Sequence, residues 1–425
     1  MISPITSTTA PAIARGHDFI GSAKPNSTLA ATMSRTVIHE VGLTLCPWDV
    51  AELEVPAMSR ASERSLANVH KTSGVTLLFS PLALRDTTLR NRVVVSPMCQ
   101  YSCVDGMPTD WHLVHLGQFA VGGAALVMTE ASAVSPEGRI SPDDAGIWND
   151  EQAAAWERVV EFVHGQGALA GVQLAHAGRK GSTFRPGLER RGTVPLDEGG
   201  WLALAPSPIA FGRYAEPVAL DDEGIARVRA DFVAAAARAA RGGFDAVELH
   251  AAHGYLLHEF LSPLANTRTD RYGGSFDNRT RLLREVVDDV RAAFDGLLLV
   301  RISADDWTPG GWTLAESQQL APLLHEAGVD LIDVSSGGLH HEQKITVGPG
   351  YQVPFSRALK QTGATTGTVG LITAPEQAES ILQAGDADVV LLARELLRDP
   401  HWPLRAAREL GVDVAWPRQY DRAKL

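Results

Sequence analysis

Residues 297–304 read LLLVRISA, an almost continuous apolar run that contains one arginine. A run that is apolar at successive positions is typical of a parallel strand covered on both faces by helices. Seven further runs of this kind lie at 92–99, 125–133, 169–178, 245–250, 331–338, 366–372 and 387–397. The sequence therefore predicts eight buried parallel strands.

Helical segments separate these runs. The segment DEQAAAWERVVEFVHGQG at 150–167 has Asp150 as its predicted N-cap and Gly165 as its predicted end, and a second helix is predicted within 221–243. Strand alternates with helix from residue 76 onward. This order favours a (β/α)8 TIM barrel, because a doubly wound sheet rarely uses eight such repeats without an antiparallel edge.

The chain is expected to consist of one catalytic barrel domain at 76–425 and an N-terminal extension at 1–75. The extension is rich in Ser, Thr and Ala, contains several prolines and shows no sustained hydrophobic period, so we expect it to be disordered. Its role is open.

The composition limits the classes of function. The net charge of −12 argues against a general nucleic-acid-binding surface, and we expect no nucleic-acid partner. The sequence contains neither a long uninterrupted apolar run nor an apolar secretory signal, so we expect no membrane insertion and a cytoplasmic location. The three cysteines are too few for a disulfide framework or an iron-sulfur cluster.

Barrel active sites are built from residues at the carboxyl ends of the strands and from the loops that follow. Unusual polar or small residues at these positions are therefore candidates for the site. They are Cys99, Tyr101, Ala131, Gln173, the segment 176–180, the segment 250–255, Arg301, Gly370 and Arg394.

The fourth strand ends in HAAHGY, with His250, His253 and Tyr255. Zinc sites of the HExxH type place their histidines four apart with a glutamate between, whereas these histidines are three apart with alanines between. Asp305 and Asp306 follow the fifth strand and keep a metal-dependent barrel open as an alternative. The favoured interpretation is a pair of N–H donors for one oxygen, with the Tyr255 phenol as a proton donor. His258 is expected to be scaffold.

Two arginines indicate binding of an anion. Arg301 is flanked by apolar residues and needs a partner, which could be a carboxylate such as Glu248 or a cofactor that becomes anionic when it is reduced. Strands seven and eight of barrels commonly form a phosphate site, which Gly370 and Arg394 could provide. The alternative is that Gly370 only ends a strand and Arg394 is a surface cation.

Five motifs together resemble the old yellow enzyme family of FMN-dependent ene-reductases. They are SPMCQYS at 96–102, TEASAVSPEGRIS at 129–141, QLAHAGRK at 173–180, HAAHGYLLHEFLSPLANTRTDRYGGSFDNR at 250–279 and RELLRDP at 394–400. The resemblance covers residues 77–425. A cysteine after SPM and the short HAGRK loop are similar to the thermophilic-like class of NADPH dehydrogenases and xenobiotic reductases.

The resemblance implies roles for individual residues. Those implied to contact the flavin ring are Ser96, Pro97, Met98, Cys99, Ala131, Gln173 and Arg301, and those implied to hold its phosphate are Gly370, Ala393 and Arg394. Residues implied to bind substrate are Tyr101, His250, His253 and Arg422, with Cys99 also touching the substrate and Lys180 nearby. Tyr255 is implied to be the proton donor. Ala393 departs from the family pattern, which has glycine before the phosphate-binding arginine, but the backbone N–H is retained.

The implied function is an FMN-dependent NAD(P)H oxidoreductase that reduces activated alkenes by ping-pong hydride transfer. The resemblance also implies a homodimer or homotetramer in which Arg422 reaches the neighbouring site. Three alternatives are weighed against it: a dienoyl-CoA reductase, which would need an iron-sulfur cluster; a metal-dependent TIM-barrel hydrolase or aldolase; and a flavin-binding protein without turnover.

Overall fold

The structure is a computed structural model that describes residues 76–424. The extension predicted at 1–75 lies outside the described residues. Among those residues, the strands in chain order are β1 (Leu82–Leu84), β2 (Thr87–Leu89), β3 (Val93–Val95), β4 (Leu126–Ala133), β5 (Leu169–Ala175), β6 (Leu204–Ala205), β7 (Val218–Ala219), β8 (Ala246–Ala251), β9 (Leu297–Ser303), β10 (Leu331–Ser335), β11 (Thr366–Thr368) and β12 (Val389–Leu392).

The barrel consists of the eight strands that the sequence predicts. They are β3, β4, β5, β8, β9, β10, β11 and β12, and each is hydrogen bonded in parallel to the next until β12 closes on β3. The two remaining strand pairs are a hairpin, β1 with β2, and a short pair, β6 with β7, in the long connection between β5 and β8. The predicted (β/α)8 TIM barrel is confirmed.

Helices lie between the barrel strands. Within residues 76–424 they are α1 (Asp110–Val121), α2 (Asp150–Gly165), α3 (Asp222–Arg241), α4 (Leu256–Leu261), α5 (Phe276–Ala293), α6 (Leu314–Glu326), α7 (Val353–Lys360), α8 (Pro375–Gln383), α9 (Arg394–Arg398) and α10 (Trp402–Glu409). The prediction that Asp150 is the N-cap of α2 was wrong by one residue. Asn149 is the N-cap because its side chain accepts the Gln152 N–H, while Asp150 pairs with Arg238.

The last two barrel strands are shorter than predicted. β11 ends at Thr368, and the left-handed backbone at Gly370 and Leu371, with φ of 124° and 51°, turns the chain out of the sheet. β12 ends at Leu392, and Arg394 begins α9 rather than lying in the strand. The residues predicted to bind phosphate therefore lie just beyond the strands, in a turn and at the start of a helix.

The apolar runs divide between two layers because successive side chains of a strand point to opposite faces. One face packs against the helices, and the other fills the lower half of the barrel. The barrel-filling residues include Leu126, Leu297, Leu299, Leu331, Val389 and Leu391, with Leu84 and Leu89 of the hairpin packed against them. Two positions after Leu299 and Leu331 of this apolar floor come the polar residues Arg301 and Asp333.

We expect Leu299→Ala to lower the free energy of unfolding by about 2 to 5 kcal/mol, because the side chain is buried in the closed floor of the barrel and leaves a cavity. Urea unfolding followed by circular dichroism measures the change. The matched control is Leu196→Ala, at a leucine that is 63% exposed, for which we expect a change within about 0.5 kcal/mol. Equal effects of the two substitutions would contradict the assignment of Leu299 to the floor.

Candidate functional site

Four polar residues lie directly above the apolar floor and form what we call the polar layer: Gln173, Glu248, Arg301 and Asp333. All four are buried, and each comes from a different one of four adjacent strands, β5, β8, β9 and β10. Gln173 Nε2 donates to Glu248 Oε1 at 2.7 Å. Arg301 Nη1 donates to the Ser96 hydroxyl at 3.0 Å, and its Nε lies 3.2 Å from Asp333 Oδ2.

Arg301 thus pairs with a carboxylate, as one of the two sequence-based interpretations expects, but the carboxylate is that of Asp333 and not that of Glu248. In the strand register Asp333 lies opposite Arg301, whereas Glu248 lies opposite Leu299 and is hydrogen bonded to Gln173. Asp333 was not predicted as a site residue, although it lies inside the sixth apolar run, at 331–338. A single charged residue inside an apolar run is the signal that identifies Arg301, and the same signal identifies Asp333.

The acids of the polar layer retain their protons more strongly than free carboxyl groups. Burial raises the pKa of Glu248 to about 8, the charge of Asp333 adds to the rise, and Arg301 opposes it. Burial also raises the pKa of Asp333, again opposed by Arg301. Arg301 is therefore the positive charge that opposes the effect of burial on both acids.

His250, His253 and Tyr255 converge above the polar layer, as the sequence predicts. The rings of His250 and His253 have centroids 5.1 Å apart, and the ring of Tyr255 lies 4.8 Å from that of His250. His250 continues the inward face of β8, two positions after Glu248. His253 follows in a turn where its backbone is left-handed, with a φ of 59°. The turn is what brings the second imidazole back over the barrel.

Both imidazoles are neutral at ordinary pH. Burial, followed by the charge of Arg301, lowers the pKa of each far below its usual value. His250 Nδ1 accepts the Ala252 N–H at 3.4 Å, so Nε2 carries the proton and is a donor. His253 Nε2 lies 2.7 Å from the Ser335 hydroxyl. A substrate oxygen bound at His253 Nε2 would therefore replace or share the contact with Ser335.

The loop after β3 carries Cys99 and Tyr101 into the same region. The Cys99 thiol is hydrogen bonded to the backbone of Ala131 and to the Tyr101 hydroxyl, and burial raises its pKa well above the usual value. The thiol is therefore uncharged. Burial also raises the pKa of Tyr101, with a further contribution from Cys99. The loop thus provides neutral, weakly polar groups rather than a thiolate.

Glu130 anchors this loop from β4. Glu130 lies within a β-bulge of β4, which a register shift between Met128 and Ala131 marks. Its carboxylate accepts the Gln100 N–H at 2.8 Å. The other oxygen lies 2.9 Å from Nε2 of His112 on α1. Glu130 could not be predicted as a site residue from the sequence, because a bulge that redirects a side chain leaves no hydrophobic pattern of its own.

Cys103, His112 and Glu130 are close enough to hold a metal ion. The hydrogen bonds argue for another role, because the Thr109 N–H donates to His112 Nδ1 at 2.9 Å. His112 Nε2 must then carry the ring proton and donate to Glu130. A metal at Nε2 would require the proton at Nδ1, where the Thr109 N–H already points. We interpret this cluster as the support of the Cys99 loop.

Asp305 and Asp306 do not join the histidines of the mouth. Asp306 Oδ1 lies 2.9 Å from His258 Nε2, and Asp306 Oδ2 accepts from the Ser262 hydroxyl and the Trp312 N–H. Asp305 accepts the Trp307 N–H. These contacts remove the carboxylates on which the hydrolase or aldolase alternative depended, and they give His258 the scaffold position that the sequence predicts.

We expect Asp306→Asn to destabilise the protein at pH 7 by about 3 to 5 kcal/mol, because it breaks a fully buried pair. Burial opposes ionisation of Asp306, but His258, Ser262 and the Trp312 N–H hold its pKa below the usual value. Such a carboxylate stabilises the fold above its unfolded pKa of about 3.9, and the contribution is lost as the pH falls through the folded value. Urea unfolding at pH 7 and in acid should show the difference shrinking below about pH 4.

The control for this change is Asp110→Asn, because the side chain of Asp110 is 84% exposed in its pair with Arg158. Exposed pairs contribute about 1 kcal/mol or less. A loss at Asp306 no larger than that at Asp110, or one that does not depend on pH, would contradict the importance of the buried pair.

The predicted phosphate-binding residues lie on the same side of the barrel. Arg394 begins α9, with Ala393 as its N-cap, and the charges of Arg394 and Arg301 both lower the pKa of Tyr351, which burial raises overall. Tyr351 lies beside Gly370, where an added Cβ would come within 2.9 Å of the phenol ring. The guanidinium groups of Arg394 and Arg301 therefore both act on Tyr351, beside Gly370, at one end of the mouth.

The candidate residues fit an isoalloxazine ring with a phosphate tail. Arg301 has five N–H donors and uses only some of them on Ser96 and Asp333, so it can also bind an electron-rich ring edge. The Gln173 amide uses its Nε2 on Glu248, which leaves its carbonyl oxygen for a ligand N–H. Ala131 provides a small side chain directly opposite Gln173 in the register of β4 against β5.

A closed (β/α)8 barrel with these residues at its mouth defines a flavin-binding oxidoreductase. The chain belongs to the NADH:flavin oxidoreductase / NADH oxidase family, whose sequence model matches residues 77–412. It is 47% identical to an NADPH dehydrogenase of Bacillus subtilis (strain 168) over 349 residues, which are 81% of this chain and 98% of the relative. It is 46% identical to an NADPH dehydrogenase of Geobacillus thermodenitrificans (strain NG80-2), over 82% of this chain and 98% of the relative.

Among solved structures, morphinone reductase is similar with a TM-score of 0.67 and 30% sequence identity, covering 81% of this chain and 93% of that chain. These comparisons confirm the resemblance to the old yellow enzyme family. The protein is an FMN-dependent oxidoreductase that uses a nicotinamide cofactor as reductant. Within the described residues, every helix is too short or too polar to cross a membrane.

Proposed function

We propose that this oxidoreductase reduces activated C=C bonds in small molecules, namely α,β-unsaturated carbonyl compounds, maleimides and nitroalkenes. The observation that carries the proposal is the pair of neutral imidazoles, His250 and His253, with the phenol of Tyr255 beside them above the polar layer. FMN held above the polar layer would supply the hydride chemistry, with NADPH or NADH as the reductant, and the reductant and the alkene would use one pocket in turn.

The two histidines bind the activating oxygen of the alkene. Donors that are buried and neutral stabilise negative charge as it develops on that oxygen, and they do not have to reorganise to do so. Because the pKa of each ring is lowered, both imidazoles bind the oxygen as neutral donors and add no positive charge near Arg301. Binding through both donors also fixes which carbon of the double bond faces the hydride donor and which faces Tyr255.

Tyr255 gives the proton to the carbon next to the activating group. Burial raises the pKa of its phenol well above the usual value, so the group is fully protonated when the substrate arrives. A proton donor placed opposite the hydride donor lets both bonds to hydrogen form without free solvent. Tyr101 and Cys99 line the same space, and we propose that they contact the substrate and the flavin edge.

The remaining residues have the roles that the family resemblance implies. We propose that Ser96, Pro97, Met98, Ala131, Gln173 and Arg301 hold the flavin ring and that Gly370, Ala393 and Arg394 hold its phosphate. We also propose that residues 76–425 form the catalytic domain and that the protein is located in the cytoplasm. Arg422 lies on an exposed turn, Arg418–Ala423, from which it would reach the site of a neighbour in a homodimer or homotetramer.

An anaerobic titration of the purified protein with NADPH tests the proposal. Bleaching of the flavin absorbance, followed by its recovery on addition of an enone, a maleimide or a nitroalkene, is the expected result. A flavin spectrum that NADPH bleaches but none of the alkenes restores would contradict the proposed substrates. A spectrum that NADPH leaves unchanged would indicate a flavin-binding protein without turnover.

A further inference from the structure

Asp144 is a buried acid that the proposed reaction leaves without a role. It lies in the loop between β4 and α2, and its side chain is almost completely removed from solvent. Its Oδ1 accepts the Ser141 hydroxyl at 2.6 Å, and its Oδ2 accepts the Ile140 N–H at 2.8 Å. Within the described residues, no basic side chain forms an ion pair with it. A buried carboxyl without a direct ion-pair contact favours its protonated form.

Asp144 and Tyr255 line the same small cavity. The other lining residues are Ala131, Ala133, Gly138, Ile140, Ala175 and Ala177. The cavity offers about 10 Å³ to the centre of a water molecule, which is room for about one water. The alanines and the glycine leave this space open between the carboxyl and the phenol. Among the lining residues, Asp144 and Tyr255 carry the polar side chains that a water there could contact.

The groups around Asp144 keep its proton available near neutral pH. Burial raises the pKa of Asp144 to about 7, the Ser141 hydrogen bond opposes the rise, and the charge of Glu130 adds to it. The titratable or charged groups that interact with Asp144 are Cys99, Tyr101, Cys103, Glu130, Arg139 and Tyr255. Arg139 is the cation of this set, and its guanidinium lies over the rings of Trp148 and Trp201.

We propose that Asp144 returns a proton to Tyr255, through one water in this cavity, after each reduction of substrate. The inference rests on the proposed function, in which Tyr255 gives its hydroxyl proton to the substrate carbon. The tyrosinate then takes a proton from the water, the water takes the proton of the Asp144 carboxylic acid, and the carboxylate regains a proton from solvent. The net transfer is one proton from solvent to the substrate carbon, and no electron moves in the relay.

Asp144→Asn tests the relay, because the amide has nearly the same shape, keeps an acceptor for the Ile140 N–H and cannot supply a proton. We expect the first alkene reduced by pre-reduced protein to react at close to the normal rate, since Tyr255 still carries its proton. Later turnovers should be slowed about 10-fold or more, the scale of losing an acid-base group. Rapid-mixing absorbance of first and later turnovers measures both.

Three further measurements separate a relay from structural support. Ser141→Ala removes a hydrogen bond that lowers the pKa of Asp144, so the inflection of the steady-state pH profile should move to higher pH. Difference infrared spectroscopy of the protein without substrate should show a carboxylic acid band that titrates near pH 7 and is missing in Asp144→Asn. Asp143→Asn is the matched control, because that side chain is 42% exposed and pairs with Arg185 outside the cavity.

The relay is overturned if Asp144→Asn leaves the later turnovers and the pH profile unchanged, if it slows the first turnover as much as the later ones, or if Asp143→Asn has the same effect. Should the asparagine variant fail to fold, the unmoved pH profile of Ser141→Ala would overturn it. If Tyr255→Phe slows alkene reduction and Asp144→Asn does not, only the relay fails. If Tyr255→Phe has no effect, the proposed acid itself is wrong.

Discussion

Replacing both His250 and His253 by alanine should lower kcat/KM for a cyclic enone by roughly 10-fold to 1000-fold, the scale of removing activating hydrogen-bond donors. The two imidazoles converge with centroids 5.1 Å apart, and His250 Nε2 carries a proton that it can donate. Because burial lowers the pKa of both rings, both should remain neutral donors at pH values on either side of the usual histidine pKa of about 6.5. Steady-state assays across pH should show no inflection due to these two groups.

Two control variants define what the loss means. His325→Ala removes an exposed imidazole of α6 and should leave kcat/KM unchanged. A variant with asparagine at positions 250 and 253 keeps an N–H donor at each position and should recover part of the loss. Reduction of flavin by NADPH serves as an internal reference for correct folding and FMN binding. Unchanged enone turnover in the double alanine variant would disprove the proposed oxygen-binding role.

The barrel could be predicted from sequence because its signal is local. Eight apolar runs, each followed by a helical segment, define the topology once parallel strands must be covered by helices. Arg301 was found for the same reason, since one charge inside LLLVRISA is conspicuous. His250, His253 and Tyr255 were predicted to lie together because all three are within a few residues of one strand end, and the structure brings them together.

What could not be predicted depends on contacts between distant strands and on backbone irregularities. The pairing of Arg301 with Asp333 follows from the register of β9 against β10, which no single strand encodes. Glu130 is held at the bulge in β4, and Asp144 is aligned by turns in the loop that follows, so neither shows a hydrophobic period. Both acids raise the pKa of Cys99, and Asp144 also raises that of Tyr255, but the sequence around each acid gives no sign of these contacts.

Tyr255→Phe should slow reduction of the alkene by about 100-fold or more, because the phenol is the group placed to give the second hydrogen. The phenylalanine ring preserves the edge contact with His250, so the oxygen-binding pair should keep its geometry. Reduction of flavin by NADPH needs no proton from this residue and should proceed at nearly the normal rate. Stopped-flow absorbance of the two half-reactions measures each step separately.

The comparison of the two steps distinguishes a proton donor from a residue that only shapes the pocket. A packing role would affect both half-reactions, since nicotinamide and alkene use the same space, and similar slowing of both would contradict the proton-donor assignment. Tyr272→Phe is the matched control, because its hydroxyl is hydrogen bonded to Glu285 on α5. It should leave both half-reactions unchanged. If Tyr255 is the proton donor, Tyr255→Phe alone should slow the alkene step selectively. The solvent isotope effect on that step should also become larger.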